Sequence, residues 1–154
     1  MNETLTLSGS EQIVVVESTP DRFEVEATYA PHGARPPMHL HPNHSEQFTV
    51  LTGTLRVGLA DSEHDYTAGE SFDIGAGIAH HMWNAGDEPA TVRWISTPAG
   101  RVESLFRCLD ELHRRGKASL AAQAAVLRRH SDVMVPSSAA ARMLVRVLGA
   151  VSSR

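Results

Sequence analysis

The sequence predicts an all-β fold, a jelly-roll-like antiparallel β-barrel of two facing sheets, with about three α-helices appended at the C-terminus. Three observations lead there. Short alternating or β-branched runs, separated by glycine-rich turns, fill the chain up to about residue 98. After Pro98-Ala99-Gly100 the apolar residues recur at helical spacing instead. Four of the nine histidines fall between His32 and His44, inside the strand-rich part. The predicted division is therefore a barrel over residues 1–98 and a helical appendage over 99–154, packed on the barrel or on a dimer partner.

Each element has a local reason. Gln12–Glu17 is a β-branched run, and Arg22–Tyr29 alternates, with Phe23, Val25, Ala27 and Tyr29 on one face and Glu24, Glu26 and Thr28 on the other. Glu46–Thr52 and Thr54–Ala60 flank Gly53, which predicts a tight turn between paired strands. Glu70–Ile74 and Ala90–Thr97 are two further strands, the second entered after the turn Asn84–Pro89. In the tail, Val102, Leu105, Phe106, Leu109 and Leu112 share one helical face, and Gly116 can end that helix. Leu120, Ala124 and Leu127 predict a second helix. Leu144, Val147, Leu148 and Val151 predict a third, entered after Pro136-Ser137-Ser138.

Composition excludes several classes. With 42% hydrophobic and 21% charged residues in 154, the chain has a globular composition and enough length for a real core. No apolar run is long enough to span a bilayer, so no membrane partner is expected. The first twenty residues carry Glu3, Glu11 and Glu17 and no basic start, so a cytoplasmic protein without a secretory signal is expected. Cys108 is the only cysteine, which rules out an intramolecular disulfide and a thiolate-built zinc site. Charge is asymmetric. Residues 1–100 hold four basic and fourteen acidic side chains, a net of −10, whereas residues 101–154 hold ten and four, a net of +6. A basic tail packed against an acidic body accounts for this. Nucleic-acid binding is not expected, because the basic residues are scattered and Phe106, the tail's aromatic, falls on an apolar helical face.

The chemistry-bearing residues lie in the strand region. In His39-Leu40-His41, positions i and i+2 of a strand point to the same side, so two imidazoles can bind one ion from one wall. Glu46 lies five residues on and can add an oxygen. His80 would have to come from a distant strand, which a closed barrel would bring alongside. Taken singly each signal is weak; the glycines around them change that.

Here the sequence resembles the cupin superfamily. Its first motif is Gly, five residues, His-x-His, three or four residues, Glu, six residues, Gly, and this chain supplies Gly33, His39, His41, Glu46 and Gly53. Its second is Gly, five residues, Pro-x-Gly, two residues, His, three residues, Asn. Gly69, Gly77, His80 and Asn84 match it, with Gly75 where proline is usual. That departure concerns turn rigidity rather than ligation. The resemblance spans roughly residues 10–98 and leaves the C-terminal helices outside. It implies one divalent metal ion on His39, His41, Glu46 and His80. A thiolate-free donor set favours Fe or Mn, with Ni, Cu, Co and Zn also able to occupy it.

By alternation Met82, Phe48 and Val50 line the cavity with apolar surface, which suits a small organic substrate with an apolar or aromatic portion. Tyr29 is expected either as a catalytic substrate contact or proton donor, or as core packing. His44, His64 and His81 are expected on exposed loops or outward faces, Arg56 and Arg93 on the outer face, and Trp83 and Trp94 in packing roles. The resemblance implies a metal-dependent dioxygenase as first expectation. A non-redox isomerase, lyase or cyclase, or a small-molecule-binding module without turnover, are the alternatives. The resemblance implies a homodimer, and the apolar helical faces, which need a partner, agree with it.

Overall fold

The computed structural model describes residues 3–152. Eleven strands and three helices follow in the order β1 (Thr4–Ser8), β2 (Glu11–Ser18), β3 (Phe23–Tyr29), β4 (His39–Leu40), β5 (Ser45–Thr52), β6 (Thr54–Leu59), β7 (Ser62–Thr67), β8 (Ser71–Ile74), β9 (His81–Trp83), β10 (Ala90–Thr97), α1 (Val102–Arg114), α2 (Leu120–Arg129), β11 (Val135–Pro136) and α3 (Ala139–Val151). A six-stranded sheet runs β1-β2-β3-β10-β5-β8, a three-stranded sheet runs β7-β6-β9, and β11 pairs with β4. All pairings are antiparallel. Among the described residues the strands form separate sheets sharing one core, a jelly roll, rather than one continuous hydrogen-bonded ring.

The core follows from alternation and register. Val25 faces Trp94, which faces Phe48; Ala27 faces Val92, which faces Val50. Cross-strand partners share a face, so this grid is one apolar inner wall. Leu55 and Val57 of β6 close it from the other sheet. At one end of the grid the row Phe23, Ser96, Glu46 puts a carboxylate on the inner face. The β5–β6 turn requires glycine: Gly53 has φ +74°, and a Cβ there would lie 2.5 Å from the Pro89 carbonyl oxygen.

The tail is tied to the jelly roll by apolar contact. Val102, Leu105 and Phe106 of α1 are buried, and the Phe106 ring lies 5.9 Å from Phe23 and 5.1 Å from Trp94. Asp110 accepts the backbone N–H of Thr6 at 2.9 Å, which fixes α1 against β1. Ser119 and Ser138 cap α2 and α3 through the N–H groups of Ala122 and Ala141. α3 crosses α2 at Gly149, where a Cβ would lie 3.0 Å from the Ala124 carbonyl. Arg107 pairs with Glu3 across tail and body, while Arg101–Asp132 and Arg114–Asp110 pair within the tail. Charge asymmetry is thus only partly expressed as contact. Among the described residues no helix is long and apolar enough to cross a membrane.

Candidate metal centre

β4 is two residues long, yet it places the first imidazole, His39, and leads directly into His41. His39 and His80 form an antiparallel bridge, with backbone N–H···O=C bonds of 3.0 and 2.9 Å, so their rings meet at 4.5 Å. The His41 ring lies 5.0 Å from that of His39 and 5.2 Å from that of His80. Glu46 enters from β5 with its carboxylate buried. Its Oε2 is 3.2 Å from His41 Nε2 and 3.1 Å from His80 Nε2. The structure therefore brings His39, His41, Glu46 and His80 together.

The tautomers of two ligands are set by the backbone. His41 Nδ1 lies 2.9 Å from the Val133 carbonyl and His80 Nδ1 lies 2.9 Å from the Ile78 carbonyl. A carbonyl only accepts, so each Nδ1 carries the proton and each Nε2 presents a lone pair to the centre. Val133 belongs to the tail. The same tail segment supplies β11, which pairs with β4, and the Asp132 carbonyl, which accepts from the Asn43 side chain at 2.9 Å.

The donor set fits a divalent ion. His41 Nε2 and Glu46 Oε2 are buried and make no hydrogen bond, an arrangement that costs free energy unless a further group satisfies them. Separations near 3 Å are those of neighbouring ligands about an ion with bonds of about 2.1 Å. Electrostatics agree. Burial opposes the Glu46 charge, but His41, His44 and His80 outweigh it and hold the carboxyl well below its usual range. Burial first, then the neighbouring His80 and His41, pushes His39 down to about 3, so it stands neutral and ready to ligate. His41 goes the other way: burial lowers it, but the Glu46 contact and charge prevail and raise it.

Other expected residues fall differently. Tyr29 is buried at the end of β3 opposite Glu11 of β2, and the two side chains share the inner face. Burial pushes the Glu11 carboxyl up to about 7, against the hydrogen bond from Tyr29 and with the help of the Glu46 charge. The alternation that puts Ile13 inward puts Glu11 inward too. Phe48 and Val50 are packed core, Phe48 stacking on Phe72 at 4.9 Å and Trp94 at 5.5 Å. Met82 keeps partial exposure.

One expectation needs correction and two gain detail. His44 is not on an exposed loop: it is buried, with Nε2 3.7 Å from Glu46 Oε1, because the β4–β5 loop folds inward over the carboxylate. His81 lies on the outer side of β9 yet is buried, its Nδ1 donating to the Pro36 carbonyl at 2.8 Å. Gly58 makes room for it, since a Cβ there would lie 2.3 Å from His81 Nε2. Trp94 does more than pack: its indole N–H donates to Glu46 Oε1 at 3.0 Å and anchors the carboxylate. His64, Arg56 and Arg93 are outward, the arginines pairing with Asp65 and Glu24.

Comparison with known proteins agrees with this geometry. Residues 25–96 match the family described as Cupin domain. That match takes in just under half of the chain, and the strand region has the cupin fold. Among curated proteins it is 42% identical over 69 residues to the rhicadhesin receptor of Pisum sativum and 44% identical over 69 residues to germin-like protein 5-1 of Oryza sativa subsp. japonica. Each match takes in 42% of this chain and only 31% of the relative's length. Among solved structures, KdgF from a Halomonas species superposes with a TM-score of 0.54 at 20% identity, over 62% of this chain and 86% of that one. Bacillus subtilis oxalate decarboxylase, described with Mn(II) centres, superposes with a TM-score of 0.53 at 22% identity, over 62% and 28%. At such identities these two likenesses concern the fold.

Proposed function

We propose that the chain is a metal-dependent cupin enzyme, a dioxygenase-type oxidoreductase acting on a small organic substrate, with Fe or Mn as its ion. The observation that carries this reading is the convergence of His39, His41 and His80 with the Glu46 carboxylate, without thiolate, in a buried centre. Four such donors leave positions free on an ion that prefers five or six ligands. The chemistry a bound ion supplies there is Lewis-acid polarisation and electron transfer between substrate and dioxygen. The chain's own residues do the rest. Val133 and Ile78 hold two imidazoles in the ligating tautomer. Trp94 fixes the Glu46 carboxylate. Phe48, Val50 and Met82 keep the surroundings apolar and exclude water. Tyr29, opposite Glu11 on the inner face, is the proposed proton donor.

That last pair favours a second reading, a non-redox isomerase or lyase in which Glu11 and Tyr29 move protons and no oxygen is used. An oxygen electrode separates the two. Fe(II)-loaded protein offered enols, thiols and catechols is expected to consume oxygen in step with product, and Glu46→Ala to abolish it. Product without oxygen uptake moves the assignment to the second reading. Saturable binding without product leaves a small-molecule-binding module. The proposed partner beyond substrate is a second copy of the chain, covering the apolar face of α3.

A further inference from the structure

The β4–β5 loop brings a fifth donor to this centre. His44 is 5% exposed, and its Nε2 is buried without a hydrogen-bond partner. That nitrogen lies 3.7 Å from Glu46 Oε1, whereas the His41 and His80 contacts use Oε2. The His44 ring lies 4.4 Å from the His41 ring, tilted by 34°. Donor atoms of His41, His44 and Glu46 all fall within 4.8 Å of one another, as do those of His39, His41 and His80. Two neighbouring triads thus share His41.

They cannot both be filled. The His41 Nδ1 is committed to the Val133 carbonyl, so a single lone pair, on Nε2, is left for both triads. We infer that His44, with His41 and Glu46, forms a second seat for the divalent ion, used as an alternative to the seat that includes His39 and His80. Its donors, two imidazoles and one carboxylate, are a set suited to Fe(II), and Co(II) and Zn(II) accept the same groups. An incoming ligand that displaces His39 or His80 would then leave the ion held on His41, His44 and Glu46 rather than released.

The inference rests on the metal-binding reading above, and the test keeps the two apart. Metal-free protein is titrated with Co(II) in equilibrium dialysis, with the visible d–d absorption recorded in parallel. Three proteins are compared: wild type, His39→Ala/His80→Ala, and the same double variant with His44→Ala. Wild type is expected to take up about one ion. The double variant is expected to keep about one, bound roughly tenfold to hundredfold more weakly and with a changed spectrum. Adding His44→Ala is expected to remove it. A double variant that binds no Co(II), or a triple variant that binds as well as the double, overturns the second seat while leaving the first intact. Wild-type protein that binds none overturns both. Circular dichroism checks the fold, and if the alanine pair unfolds, His39→Gln/His80→Gln, which removes less side-chain volume, is read in the same way.

Discussion

Glu46 and Glu11 are both inward carboxyls, and their surroundings drive them in opposite directions. Three imidazoles and the Trp94 indole surround Glu46 and keep it ionised. Burial pushes Glu11 the other way, with the Glu46 charge adding to it and the Tyr29 hydrogen bond opposing it, so its proton is held up to about 7, above the ordinary 4.5. Between those two values the folded protein keeps a proton that the unfolded chain releases. Stability therefore falls as pH rises from 4.5 to 7 and stays lowered above that. Glu11→Gln removes the effect. It is expected to match wild type near pH 4.5 and to exceed it at pH 8 by at most about 3 kcal/mol in urea unfolding. Parallel pH profiles for the two proteins would contradict the assignment. How far residues were legible depends on what placed them. His39, His41, Glu46 and His80 were readable because strand alternation and glycine spacing are local signals. His44 was not, since only the inward course of its loop decides its burial. The Trp94 bond to Glu46 depends on the β10–β5 register, which no single segment encodes.

At the scale of elements, β4 and β11 matter most and were least visible. β4 has two residues, as has β11, too short for any periodicity to reveal. The helices α1, α2 and α3 were readable from their 3.6-residue apolar spacing, whereas the stretch between α2 and α3 carries no comparable pattern. β7, with the sequence Ser62-Glu63-His64-Asp65-Tyr66-Thr67, was missed because an exposed edge strand needs no apolar face. Yet the segment after α2 contributes the Val133 carbonyl to His41, the β11 ladder to β4, and Ser137 N–H to the Met38 carbonyl at 3.1 Å. This makes the tail part of the metal centre. A chain ending at residue 129 is expected to keep its strand signal in circular dichroism but to bind Zn(II) roughly tenfold to hundredfold more weakly in calorimetry. Undiminished affinity would show that Val133 does not position His41.

The whole molecule combines a jelly roll of −10 net charge with a tail of +6, and α3 leaves Met143, Leu144, Val147 and Val151 exposed along one side. The fold class was legible because binary patterning switches from strand to helix period once, near residue 98. What covers α3 was not, because an apolar helical stripe names no partner. The proposed second copy predicts a dimer in light scattering, converted to a monomer by Leu144→Glu with Val147→Glu, with the strand signal retained. A wild-type protein monomeric at tens of micromolar would contradict it.

The central claim is that the three imidazoles and Glu46 hold a metal ion. Elemental analysis of anaerobically purified protein, with and without Glu46→Ala, tests it most directly. About one equivalent of iron or manganese is expected in wild type, and its loss in the variant. Wild-type protein that arrives metal-free and takes up no iron, manganese, nickel or zinc would contradict it.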